Sequence, residues 1–142
     1  MKYLEAVIKE TLRLYLLAPF LLRELEEEVK FEGYQLLPGI TILLSVYMIH
    51  RHPDYFPEPE KFDPDRFSPE RAKGRYSFAF IPFSEGPRNF IGQKFAMLGM
   101  KSIISKILRT YKLLPGTTQL VLAVDILLKT RTGVHIKLED RK

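Results

Sequence analysis

Pro82-Phe83-Ser84-Glu85-Gly86-Pro87-Arg88-Asn89-Phe90-Ile91-Gly92 is the stretch on which the reading of this chain turns. Two glycines and a proline shape a tight loop, and a helical pattern begins directly after Gly92. The amides of such a loop and the N-terminus of the following helix form a concavity of positive potential. Arg88 adds a planar fork of donors suited to a carboxylate. The loop therefore suits the anionic edge of a cofactor.

Downstream, Met97, Met100, Ile104, Ile107, Leu108 and Tyr111 recur as one apolar stripe of a helix. Lys94, Lys101, Lys106, Arg109 and Lys112 lie mainly elsewhere, with no acid among them. The helix is expected over residues 93–112, with Pro115-Gly116 ending it. A basic amphipathic helix can bind a membrane surface or a partner protein; a core-packed helix with a wet basic face is the plainer alternative. Residues 126–130 and 134–138, separated by Arg131-Thr132-Gly133, read as a terminal hairpin.

Upstream, residues 53–95 hold seven of the ten prolines and eight of the ten phenylalanines. Proline removes ladder donors, and so many aromatics must be buried to offset ordering entropy. The segment is expected to be a long ordered coil pinned by phenylalanines. Before it, Leu4, Ile8, Leu12 and Tyr15 mark a helix over residues 1–15, which Pro19 stops. That helix starts at Met1 with no room for a cap, so the chain is expected to begin inside a larger architecture. Residues 29–31 and 34–36 around Glu32-Gly33 read as a small hairpin, residues 40–46 as a buried strand, and residues 47–50 as a short helical turn.

Two further clusters carry charge into apolar surroundings. Glu10 and Arg13 stand three apart on the first helix and are neighbours there. Arg66, within Phe62-Asp63-Pro64-Asp65-Arg66-Phe67, needs an acidic or carbonyl partner if buried, and Glu10 is a reasonable one.

Composition narrows the function classes. The chain has 142 residues, is 46% hydrophobic and 27% charged, and carries a net charge of +5. Those fractions exclude a disordered or collagen-like chain. There is no basic run and no alternation of basic and aromatic residues, so nucleic acid is not an expected partner. Glu24, Glu26, Glu27 and Glu28 read as a solvated segment. Cysteine is absent, which excludes disulfides, thiolate metal sites and a cysteine nucleophile. The longest apolar run, residues 14–22, is interrupted by Pro19 and falls short of a membrane helix. Lys2, Glu5, Lys9 and Glu10 argue against a signal peptide.

In this order and spacing the three segments resemble the C-terminal third of the cytochrome P450 haem-thiolate monooxygenases. IPFSEGPRNFIGQKFAMLGMK and HRHPDYFPEPEKFDPDRF resemble most the microsomal fatty-acid ω-hydroxylase-like branch, family four. The resemblance runs over residues 1–142. It implies an α+β, mostly helical fold, here a partial domain without the N-terminal anchor, the substrate segments and the distal oxygen-activating helix. It implies haem as cofactor, a reductase as electron donor, a lipophilic substrate such as a fatty acid or foreign compound, and the endoplasmic reticulum membrane, or microsome, as location. A chain without its own membrane segment could also be cytoplasmic.

The resemblance also assigns residues. Glu10, Arg13 and Arg66 match a structural triad that locks the aromatic meander. Phe83, Gly86, Arg88 and Gly92 match the haem loop F-x-x-G-x-R-x-C-x-G, with Arg88 on one haem propionate and Arg23, four after Pro19, on a second. Phe90 occupies the position of the proximal cysteine, whose thiolate favours O–O cleavage. Phenylalanine has no lone pair, and His50, His52, His135 and Met97 stand outside the loop. Leu16-Leu17 also replaces a proline pair. The chain is therefore expected to be catalytically incompetent as written, a pseudoenzyme. The alternative is a non-catalytic relic, or a fragment that meets a partner or membrane surface through its basic helix. With its helices and Phe-rich coil short of partners, it is expected to be poorly soluble or molten alone.

Overall fold

The structure, a computed structural model, describes residues 1–141. Helix α1 (Lys2–Leu14) turns Ile8 and Leu14 inward, and also Glu10 and Arg13, so its inner face is half charged. The chain then leaves the helix at Tyr15 and buries Leu16.

Strand β1 (Phe20–Glu24) follows Pro19 and pairs antiparallel with β4 (Thr41–Ser45), with Leu22 opposite Leu43. Between them projects the expected hairpin, β2 (Val29–Phe31) against β3 (Tyr34–Leu36). Its turn residues Glu32 and Gly33 both have positive φ, the geometry that matches strand twist in a two-residue connection. The segment of residues 40–46 is a strand as expected but not a buried one. Within β4 only Ile42 and Ser45 reach half-burial while Thr41, Leu43 and Leu44 are exposed, as the sheet has only two strands, and Val46 just beyond it is the residue that enters the core.

Short helix α2 (Val46–Ile49) is capped by Ser45, whose Oγ accepts from the Met48 amide at 3.4 Å. Leu16, Val46 and Ile81 form the apolar core, with Leu21 and Ile49 against it. The proline- and phenylalanine-rich segment is an ordered coil broken only by single turns: a 3-10 turn at Pro64–Phe67, helix α3 (Pro69–Ala72) and a 3-10 turn at Ser77–Ala79. Asp63 and Ser68 cap the first two.

Helix α4 (Gln93–Thr110) follows the loop and meets α1 through Lys101 Nζ to Glu5 Oε2, at 2.7 Å. It ends two residues earlier than the periodicity implied. Residues 111–115, read as helix end and stop, form β5 (Tyr111–Pro115) and pair with β8 (Ile136–Asp140).

The terminal hairpin of residues 126–130 and 134–138 is therefore corrected. Strand β7 (Leu128–Thr130) pairs with β6 (Leu122–Val124) instead. Thr132 explains the change. Its Oγ1 accepts from the Val121 amide at 3.1 Å and donates to the Gln119 carbonyl at 3.0 Å. That ties residues 130–132 back to the segment before β6 and leaves the last strand for β5, where Leu113 faces Leu138.

The balance of helix and short strands is that of an α+β chain, as expected. A compact monomer of 16.6 kDa exposes roughly 7,600 Å². This chain exposes 10,939 Å², and no residue of α4 is buried. The excess is apolar in part: Ile91 is 98% exposed and Phe95 84%.

Candidate functional site

Glu10 is the centre of a buried polar cluster. Its Oε2 accepts from Arg13 Nε at 2.8 Å and its Oε1 from Arg13 Nη2 at 2.8 Å, a bidentate pair. The same Oε1 accepts from the Asp63 amide at 2.9 Å and lies 3.5 Å from Arg66 Nε. Arg13 also donates to the carbonyls of His50 at 3.0 Å and Lys61 at 3.2 Å. Arg66 donates to the Pro57 carbonyl and, at 2.8 Å, to that of Glu58. One carboxylate thus fastens α1 to the coil at several points, and the three sequence-named residues Glu10, Arg13 and Arg66 do come together.

The aromatic and histidine members of this cluster are not evident from the sequence, nor is Arg75. Phe56 is fully buried between guanidinium groups, with Arg13 5.2 Å and Arg75 4.7 Å from its ring centre. Arg75 also donates to the Arg66 carbonyl at 2.8 Å. Burial, and then the neighbouring Arg66, lower its pKa.

His50 is a further such residue. Sequence reasoning weighed it only as an iron ligand. In the structure it is a strut: its Nε2 accepts from the Ile81 amide at 2.9 Å, and its ring stacks on Phe80 at 5.1 Å. Burial pushes the imidazole down to about 4, and the cations of Arg13 and Arg51 push the same way. The ring is therefore neutral at pH 7, with its proton on Nδ1, which lacks a partner among the described residues. No local pattern signals a partner 31 positions away.

This platform presents the loop. Ser84 and Gly86 take positive φ, the Asn89 amide donates to the Gly86 carbonyl at 3.1 Å, and the Phe90 amide donates to the Phe83 carbonyl at 2.9 Å. The rings of Phe83 and Phe90 stack at 6.1 Å, 19° from parallel. Gly92 makes room for this. A Cβ there would lie 2.6 Å from Cζ of Phe90. From β1, Arg23 Nη2 donates to Ser84 Oγ at 2.8 Å and so fixes the loop against the first sheet.

Between loop, α1, β1 and α4 lies a cavity of about 610 Å³. Leu12, Leu17, Leu21, Ile81, Phe83, Phe90 and Met100 supply its apolar wall, and Arg23 and Arg88 are its charged residues. The volume is that of a small-molecule or cofactor site. An apolar cleft with two guanidinium groups suits a flat apolar ligand carrying carboxylates. Phe83, Arg88, Phe90 and Arg23 all line it; Gly86 and Gly92 shape the loop without lining it.

A haem fits this site in part. The apolar wall and the two guanidinium groups suit its faces and its acidic edge, whereas Phe90 offers only carbon to an iron and the one sulfur on the wall is the Met100 thioether. His50, His52, His135 and Met97 do not line the cavity. Among the described residues no group of three His, Cys, Asp or Glu side chains is placed to hold a metal ion.

A family profile described as Cytochrome P450 matches residues 1–136. Cytochrome P450 4V2 of Rattus norvegicus is 44% identical over 143 residues, covering 99% of this chain and 27% of that protein. Cytochrome P450 4g1 of Drosophila melanogaster is 44% identical over 146 residues, covering 100% of this chain and 26% of its own length. Probable cytochrome P450 4aa1 of the same fly is 43% identical, with 99% and 28% covered. The chain thus spans about a quarter of the length of the curated relatives it matches.

Proposed function

The chain belongs to the cytochrome P450 family, and from that premise we propose that it is the C-terminal, haem-side part of a haem-dependent monooxygenase-like protein, inactive as an oxygenase as written. In this family haem supplies the oxygen chemistry. The residues of this chain hold and orient it. Arg23 and Arg88, which line the cavity, would pair with its carboxylates, and Leu12, Leu21 and Ile81 would keep water from its faces. Glu10, Arg13 and Arg66 hold the coil that carries the loop. The whole protein would take electrons from a reductase and act on lipophilic substrates such as fatty acids or foreign compounds, at the endoplasmic reticulum membrane. Among the described residues no helix is long and apolar enough to cross a membrane.

One observation carries the reading of inactivity. The position that must push an electron pair toward iron holds the phenyl ring of Phe90, stacked on Phe83. The test is spectroscopic. The chain is loaded with haem, reduced and exposed to carbon monoxide. No thiolate-type Soret band is expected; a band of that type from the unaltered chain overturns the proposal. Phe90→Cys is expected to produce the band.

A further inference from the structure

Phe90 changes the site in a way that reaches beyond lost activity. We infer that the cavity binds a tetrapyrrole dicarboxylate by stacking and ion pairing alone, so that metal-free porphyrin is as good a ligand as haem. This rests on the haem-side reading above and deepens it. Three observations carry it. First, the carboxylate contacts do not involve the metal. Arg23 is held in place by Ser84 Oγ at 2.8 Å, and Arg88 is exposed at the same cavity. Second, the residue that would meet the metal presents an aromatic ring instead. Phe90 is 53% exposed and nearly parallel to Phe83, and an exposed aromatic ring of this kind offers offset stacking to a planar π system. Third, the ring position depends on Gly92, which leaves the space that a methyl group would take from it.

The expected preference follows. Proximal ligation distinguishes haem from its metal-free form only when a donor atom is present. With carbon at that position, both ligands gain the same apolar burial and the same two arginines. The sole sulfur on the wall is the thioether of Met100, on α4.

The test titrates the purified chain with ferric haem and with metal-free protoporphyrin IX. The chain contains no tryptophan, so the signal is the visible absorbance of either ligand, with fluorescence anisotropy added for the metal-free porphyrin. Dissociation constants within about threefold of each other are expected, a difference below about 0.7 kcal/mol. Arg88→Gln and Arg23→Gln should each weaken both ligands by about tenfold, the scale of a charge-assisted hydrogen bond. The protoporphyrin dimethyl ester should bind at least about tenfold more weakly than the free acid. Gly92→Ala should weaken both acids alike while leaving far-ultraviolet dichroism unchanged. Phe90→Cys should make haem preferred by about tenfold or more, since a metal bond is added.

A preference of the unaltered chain for haem above about tenfold overturns the inference and leaves the haem-side reading standing. Such a preference removed by Met100→Leu would identify the thioether as the donor and overturns it equally. Equal binding of the diester overturns it as well, because the arginines then contribute nothing. Failure of both acids to bind at about 100 μM overturns the haem-side reading itself and the inference with it.

Discussion

Acidification from pH 6.5 toward 4 should loosen this fold through His50. Its Nε2 accepts the Ile81 amide at 2.9 Å, a contact that protonation converts into two donors facing each other. The imidazole titrates at about 4 in the folded chain, against 6.5 when solvated. Between these values the unfolded chain binds the proton and the folded chain does not, so stability rises with pH there. The contribution is complete above pH 6.5 and is lost as pH falls toward 4. At about 1.36 kcal/mol per pH unit the gap amounts to about 3 kcal/mol. That is a large share of the 5–15 kcal/mol typical of a folded domain.

Two measurements check it. Proton NMR of the imidazole Cε1–H follows titration directly, with the His50 resonance assigned by its loss in His50→Gln. Urea unfolding at pH 7 and pH 4.5 compares the chain with that variant, whose side-chain oxygen still accepts from Ile81 but does not titrate. The unaltered chain should lose about 2–3 kcal/mol more than the variant on acidification. A midpoint above about 6 refutes the reasoning, since water then reaches the ring and the cluster of Glu10, Arg13, Phe56 and His50 is not packed. An identical pH slope in the variant refutes it as well.

Other outcomes follow from the same contacts. Glu10→Ala removes the one carboxylate between two buried arginines and should cost about 3–5 kcal/mol in urea unfolding; removing the exposed partner of Arg51 by Glu60→Ala should cost under about 0.5 kcal/mol. A Glu10→Ala cost no larger than that control would remove the cluster from its structural role. Lys101→Gln should detach α4 from α1 at a cost below about 1 kcal/mol, an effect that 1 M salt largely abolishes. Hydrogen bonds from Lys101 and then Lys9 hold the Glu5 carboxyl down at about 2. The α1–α4 link is therefore fully present above pH 4.5 and is lost as pH falls toward 2, a window below that of His50. Hydrogen exchange along α4 at several pH values separates the two.

Much of the site could be read from the chain because its determinants are close in sequence or belong to a family pattern. Glu10 and Arg13 meet because three residues nearly complete a helical turn. The β2–β3 hairpin forms around a two-residue turn that needs no distant partner. The loop of residues 82–92 carries its shape in its own glycines and proline, and Arg66 was sought by a carboxylate because a buried guanidinium must be paired. What failed was pairing at a distance. Strand β1 went unread because its partner β4 begins 17 residues after it ends. Residues 134–138 were paired with the nearest strand, whereas the Thr132 hydroxyl gives that strand to β6. The acceptor role of His50 and the place of Arg75 beside Phe56 depend on side chains that meet only in the folded coil.

The sequence by itself determined the family and the shape of the loop, because both are written in residue identities at fixed spacing. Only the tertiary structure decided that Arg23 and Arg88 share one apolar cavity with the stacked Phe83–Phe90 pair, and that a neutral histidine holds the coil beneath it. Those are relations between segments tens of residues apart. Their physical cause is that burial forces each polar group to find whichever partner the packing brings within reach.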